Sequence, residues 1–81
     1  MRERFYTPEA TENLGDYGVS PADIDRIDAQ VARLAENPEL GFHVPIQLLD
    51  WPRGLYRCDV GSYKLNYIFT DDELWVISVM V

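Results

Sequence analysis

The hydrophobic pattern changes period near Gly54, dividing the chain into a helical first half and a β-rich second half. Ile24, Ile27, Val31 and Leu34 recur at spacings of three, four and three, a single apolar stripe of helical period. Asp25, Arg26, Asp28 and Arg33 fall off that stripe and should face water. Ser20-Pro21-Ala22-Asp23 opens this helix with a capping hydroxyl, proline at the first helical position and an acid at the third. Asn37-Pro38 closes it, because a residue before proline resists the α conformation. A shorter helix over Pro8 to Leu14 starts at a Thr7 cap, places Ala10 and Leu14 on one inward face, and stops at Gly15 and Gly18. Before it, Arg2 to Tyr6 reads as a strand, since Phe5 and Tyr6 favour β structure.

Beyond Gly54 the alternation is strict. Tyr56, Cys58 and Val60 alternate with Leu55, Arg57 and Asp59, and Tyr63, Leu65, Tyr67 and Phe69 alternate with Lys64, Asn66 and Ile68. Gly61-Ser62 between them suits a two-residue hairpin turn. Thr70-Asp71-Asp72-Glu73 forms the next turn, and Leu74 to Val81 closes a three-stranded antiparallel meander. With Gly61-Ser62 as the loop, Val60 faces Tyr63, Asp59 faces Lys64 and Arg57 faces Asn66. One face is aromatic and aliphatic and packs on the helices; the other gathers Arg57, Asp59, Lys64 and Asn66. Glu39 to Arg53 reads as a connection, with Ile46, Leu48 and Leu49 under the sheet and Trp51 at a core edge. The expected architecture is α+β, in the order β-α-α-β-β-β, with an antiparallel sheet packed on two N-terminal helices.

Length and composition narrow the class. At 81 residues the chain is read as one domain, residues 1–81, and its 47% apolar content is ample for one core. Its one cysteine, Cys58, allows neither an intrachain disulfide nor a thiolate zinc cluster. The N-terminus carries no apolar signal core, and no apolar run approaches the roughly 18 residues of a membrane span. A cytoplasmic protein without membrane contact is therefore the expectation. The formal net charge is −7, with nine acidic and four basic side chains in residues 1–42 but five and three in 43–81. Nucleic-acid binding draws on lysine and arginine against phosphate, so direct binding is not expected. Any anion-binding surface belongs in the second half.

The motifs Phe5-Tyr6-Thr7-Pro8-Glu9-Ala10, Gly54-Leu55-Tyr56-Arg57, Val60-Gly61-Ser62-Tyr63-Lys64-Leu65-Asn66-Tyr67 and Leu74-Trp75-Val76-Ile77-Ser78-Val79 resemble the RelE/ParE toxin superfamily of bacterial type II toxin–antitoxin pairs. The likeness spans nearly the whole chain. It implies a RelE/ParE-like fold and an antitoxin segment that wraps the toxin. One branch of the superfamily cleaves messenger RNA in the ribosomal A site; another is linked to DNA gyrase and lacks that chemistry. The cleaving branch uses basic residues on the second and third strands, then an arginine and a tyrosine or histidine after the last strand. Carried over by position, Arg57 and Lys64 take the first and last of the strand cations and are the candidate catalytic residues. The other falls on Asp59, reversing its charge, and the residues after the last strand have no counterpart before Val81. Phosphodiester cleavage by a 2′-hydroxyl needs charge stabilisation and acid–base groups at both oxygens, so cleavage is not expected.

Each candidate also has a plainer reading. Arg57 and Lys64 suit a solvated strand face, and Asp59 opposite Lys64 suits a cross-strand charge pair. Tyr56, Tyr63 and Tyr67 could stack on bases, but core packing is favoured. His43 has no partner for a metal site, Cys58 reads as an inert core thiol, and Asp71-Asp72-Glu73 as a solvated turn. No metal and no cofactor is expected. The last strand is apolar on both faces, so Trp75, Ile77, Val79 and Val81 should be shielded by a partner, a second copy or the 39–53 connection. The function so implied is a RelE/ParE-like toxin, or a protein derived from one, that acts by binding protein. The alternatives are a non-enzymatic interaction domain that self-associates through its last strand, and a ribosome-dependent endoribonuclease with a rearranged site.

Overall fold

A computed structural model describes residues 2–44 and 54–81. In chain order they form β1 (Glu3–Tyr6), α1 (Pro8–Asp16), α2 (Pro21–Glu36), a single 3-10 turn (Pro38–Leu40), β2 (Phe42–Val44), β3 (Leu55–Val60), β4 (Tyr63–Phe69) and β5 (Glu73–Met80). The α+β architecture and the C-terminal meander match the sequence reading. The sheet order is β1-β5-β4-β3-β2, with β1 parallel to β5 and every other pair antiparallel, so the sheet is mixed. Parallel pairing needs a crossover; here α1, α2 and the meander together carry the chain from β1 round to β5.

Two features depart from the sequence reading. Part of the 39–53 connection is strand: β2 pairs Phe42 with Arg57 and His43 with Tyr56. Three residues are too few for an alternation signal, and the pairing comes from β3. The short helix also runs two residues past Leu14, through Gly15, because α1 is held from outside its own sequence. The expected positions of Ile46, Leu48, Leu49 and Trp51 lie outside the described residues.

The helix caps are those the sequence calls for. Thr7 Oγ1 accepts from Ala10 N–H and Ser20 Oγ from Asp23 N–H, each at 3.2 Å. Gly61 alone of its turn has a positive φ, 58°, the type II′ arrangement that fits the right-handed twist of a hairpin. Ile27, Val31 and Leu34 of α2 are buried against Leu65, Tyr67, Leu74, Val76 and Val79 of the sheet, and each such aliphatic side chain stabilises the fold by about 1.5–3 kcal/mol.

Among the described residues, β5 beyond Val76 has β4 on one side and no strand on the other, because the chain leaves β1 for α1 at Thr7. Side chains from this turn and α1 take over the strand's hydrogen bonds. Thr7 Oγ1 donates to the Ile77 carbonyl at 2.7 Å, and Val79 N–H donates to Asn13 Oδ1 at 3.0 Å. Asn13→Ala strands the Val79 amide and should cost about 1–2 kcal/mol in urea unfolding. Asn13→Asp, which keeps the acceptor, should cost less; equal losses would show that the bond contributes nothing.

Candidate functional site

The sheet has one face under the helices and one turned away. Tyr56, Cys58, Leu65, Tyr67, Phe69, Leu74 and Val76 face the helices, with Tyr6, Val60 and Tyr63 packed at the margin of that core. The intervening positions make the outer face. The predicted registers hold: Arg57 opposes Asn66, Asp59 opposes Lys64 and Val60 opposes Tyr63. Arg57, Asp59, Lys64 and Asn66 are therefore brought together on the outer face, as the alternation requires.

Their linkage differs from the expected charge pair. Arg57 Nε donates to Asn66 Oδ1 at 3.4 Å, and Asn66 Nδ2 donates to Ser78 Oγ at 2.9 Å. A hydrogen-bonded row thus crosses β3, β4 and β5, and Asn66, only 6% exposed, is satisfied at both ends of its amide. Among the described residues no ion pair joins Asp59 to Lys64, although they are direct neighbours. Both are exposed, where such a pair gains little against side-chain entropy. Ser78 was missed by sequence reasoning because its neighbour depends on a register shift.

That shift also divides the four residues expected at a partner interface. Asn66 pairs with Ser78 but Tyr67 pairs with Val76, so Ile77 is an extra residue without a cross-strand partner, a β-bulge. Past the bulge the alternation reverses. Val79 joins the helix-side core with no exposed surface, correcting its assignment to an outer interface. Trp75 stays on the outer face, stacked on Phe5 with ring centroids 4.4 Å apart. Ile77 is half-buried at the bulge, and Val81 is exposed beyond the strand. Met80 comes opposite Lys64 in Val79's place.

The remaining candidates fall on the helix side. Cys58 is buried and its Sγ accepts from Gln30 Nε2 at 3.1 Å, a packed thiol. His43 meets the edge of Tyr56 at a centroid distance of 5.2 Å, on the opposite side of the sheet from Arg57. Tyr67 is fully buried and donates to the Pro38 carbonyl at 2.5 Å; Tyr6 donates to the Asp28 carboxylate across β1 and α2. Burial is the main cause holding both phenols above their ordinary pKa, and for Tyr6 the Asp28 carboxylate adds to it. Tyr67 and Tyr6 are anchors, occupied and turned from the polar row, and Tyr56 and Tyr63 pack against the same core. Among the described residues no group of histidine, cysteine and acids could hold a metal ion, and no helix is long and apolar enough to cross a membrane.

Two helices on one face of a mixed sheet, with a short cation-bearing row on the other, define the chain as a small α+β protein. The family model described as the ParE toxin of the type II toxin–antitoxin system parDE matches residues 5–80, and the chain belongs to that family. No curated protein matches the sequence.

Proposed function

We propose that this ParE-family toxin acts by holding other proteins and not by cutting RNA. The observation that carries the reading is the closed polar row of the outer face. Arg57 is engaged with Asn66, Asn66 with Ser78, and among the described residues the other cation of this face, Lys64, has Asp59 at its side. In-line attack on a phosphodiester needs a base at the 2′-oxygen and an acid at the leaving oxygen, within about 3 Å of each. Arginine and lysine keep their protons at neutral pH, and Asn66 and Ser78 exchange none. Among the described residues the row therefore offers charge without proton transfer.

The partner of first resort is the antitoxin that a type II toxin implies. Self-association by edge pairing through β5 is disfavoured along Glu73–Val76, where β1 and β4 occupy both sides. The test is expression of the chain alone in a bacterial host, with messenger RNA read by primer extension. Growth arrest with uncut messengers, relieved by the cognate antitoxin, is the expected result. Messengers cut at ribosomal A-site codons, with the cutting lost in Arg57→Ala, would overturn the proposal.

A further inference from the structure

Past Val76 one edge of β5 meets no strand among the described residues; α1 lies there instead. The cover is made by two side-chain bonds, from Thr7 Oγ1 to the Ile77 carbonyl at 2.7 Å and from the Val79 amide to Asn13 Oδ1 at 3.0 Å. An edge of this kind is a template for a further strand unless something blunts it. Apart from the bulge at Ile77, the usual devices are missing from the strand itself. Leu74 to Val81 carries no charge, no proline and no glycine, and it is rich in β-branched residues. Such a segment pairs readily with a copy of itself.

We propose that α1 is a gate over this edge, and that opening it joins two copies of the chain by antiparallel pairing of β5 with β5 of the second copy. The gate operates whether or not the toxin acts by binding protein. By the alternation of a strand, Ile77, Val79 and Val81 turn their backbone groups to the same edge. With a two-fold axis at Val79, that residue exchanges both of its bonds with its own counterpart, and Ile77 faces Val81 of the second copy. No charged side chain falls within the paired segment, so nothing in it repels a copy of itself. Val81 is exposed, so the far end of the edge is accessible even with the gate closed.

α1 is held lightly enough to move. Of its nine residues only Ala10 is buried, with Leu14 packed at the margin of the core, whereas α2 buries Ile27, Val31, Leu34 and Ala35. Its charges weaken it further. Glu9 suits the first turn, but Glu12 and Asp16 stand four apart and repel, and Asp16 sits at the negative end of the helix dipole with no cation in the helix to offset it. Gly15 loosens the last turn. Elements with so little buried apolar surface open locally before the rest of the fold. When α1 opens, the Val79 amide and the Ile77 carbonyl lose their partners together, and a second strand satisfies both.

Sedimentation velocity on the full chain, across about a hundredfold range of concentration, tests this. The double variant Thr7→Val/Asn13→Ala, which removes both bonds, should dimerise at a concentration about tenfold or more below that of the wild type. Asn13→Asp, which keeps the acceptor, should behave as the wild type. Val81→Lys added to the double variant should return it to monomer, since lysine on an edge opposes pairing. Tyr67→Phe loses stability away from the gate and should stay monomeric; circular dichroism confirms that each variant is folded. A folded double variant that remains monomeric would overturn the gate, as would a dimer that Val81→Lys leaves intact. Association of Tyr67→Phe to the same degree would also overturn it, because pairing would then follow general loosening of the fold. Should the double variant not fold, amide hydrogen exchange on the wild type decides. Val79 and the α1 amides should exchange together and well ahead of the amides of β4, and a Val79 amide as slow as those of β4 would overturn the gate.

Discussion

Gly41→Ala is expected to lower stability by about 3 kcal/mol or more, the largest single effect of any alanine substitution outside the apolar core. Gly41 follows the 3-10 turn and precedes β2, at a φ of −77° that suits any residue, so the requirement is for space and not backbone freedom. A Cβ there would fall on the Tyr67 hydroxyl and 2.5 Å from the Arg57 carbonyl oxygen. The second contact is with backbone and cannot be relieved by a side-chain rotation. Overpacking of this kind costs about 1–3 kcal/mol. Displacing the buried hydroxyl from the Pro38 carbonyl adds about 1–3 more. Small domains hold only about 5–15 kcal/mol in total, so the midpoint of urea unfolding should fall sharply. Tyr67→Phe in the same background removes the hydroxyl from the clash and should recover part of the loss. A Gly41→Ala midpoint equal to that of the wild type would show that the segment before β2 shifts freely and that Tyr67 does not pin it.

Alkaline sensitivity is the second large effect. Tyr67 and Tyr6 hold their protons more tightly in the folded chain than the ordinary phenol value of about 10, chiefly through burial. Below pH 10 both states of the chain are protonated, and the contribution is fully present. Above it the unfolded chain releases protons that the folded chain keeps, so stability falls as pH rises. Linkage limits the slope to about 1.4 kcal/mol per pH unit for each tyrosine. Tyr67, without exposed surface, should approach that limit, while Tyr6, partly open to water, should contribute less. Urea unfolding between pH 8 and 11 should show Tyr67→Phe less stable than wild type by about 1 kcal/mol at pH 8, with the gap closing as pH rises. A gap that stays constant would mean that Tyr67 titrates alike in both states.

Arg57 and Asp59 show how far the sequence reaches into the candidate site. A strict period of two and a glycine turn place them opposite Asn66 and Lys64, with no knowledge of the third dimension. Whether neighbours in register bond is another matter. Arg57 turns to Asn66 because that amide is itself fixed by Ser78, whereas the exposed Asp59 and Lys64 are left to water.

The helices, their caps, the hairpin turn and the register of β3 on β4 were determined by local sequence, since each depends on residues within a few positions of one another. The tertiary structure decided the rest. The three residues of β2 become a strand only because β3 offers them an edge. α1 extends through Gly15 beside the unpaired half of β5, whose amide and carbonyl are met by Asn13 and Thr7. The bulge at Ile77 turns Val79 inward and Met80 outward, a reversal that no alternation count can foresee. Each of these follows from long-range hydrogen bonding: a backbone group that must be paired takes whichever partner the folded chain brings to it.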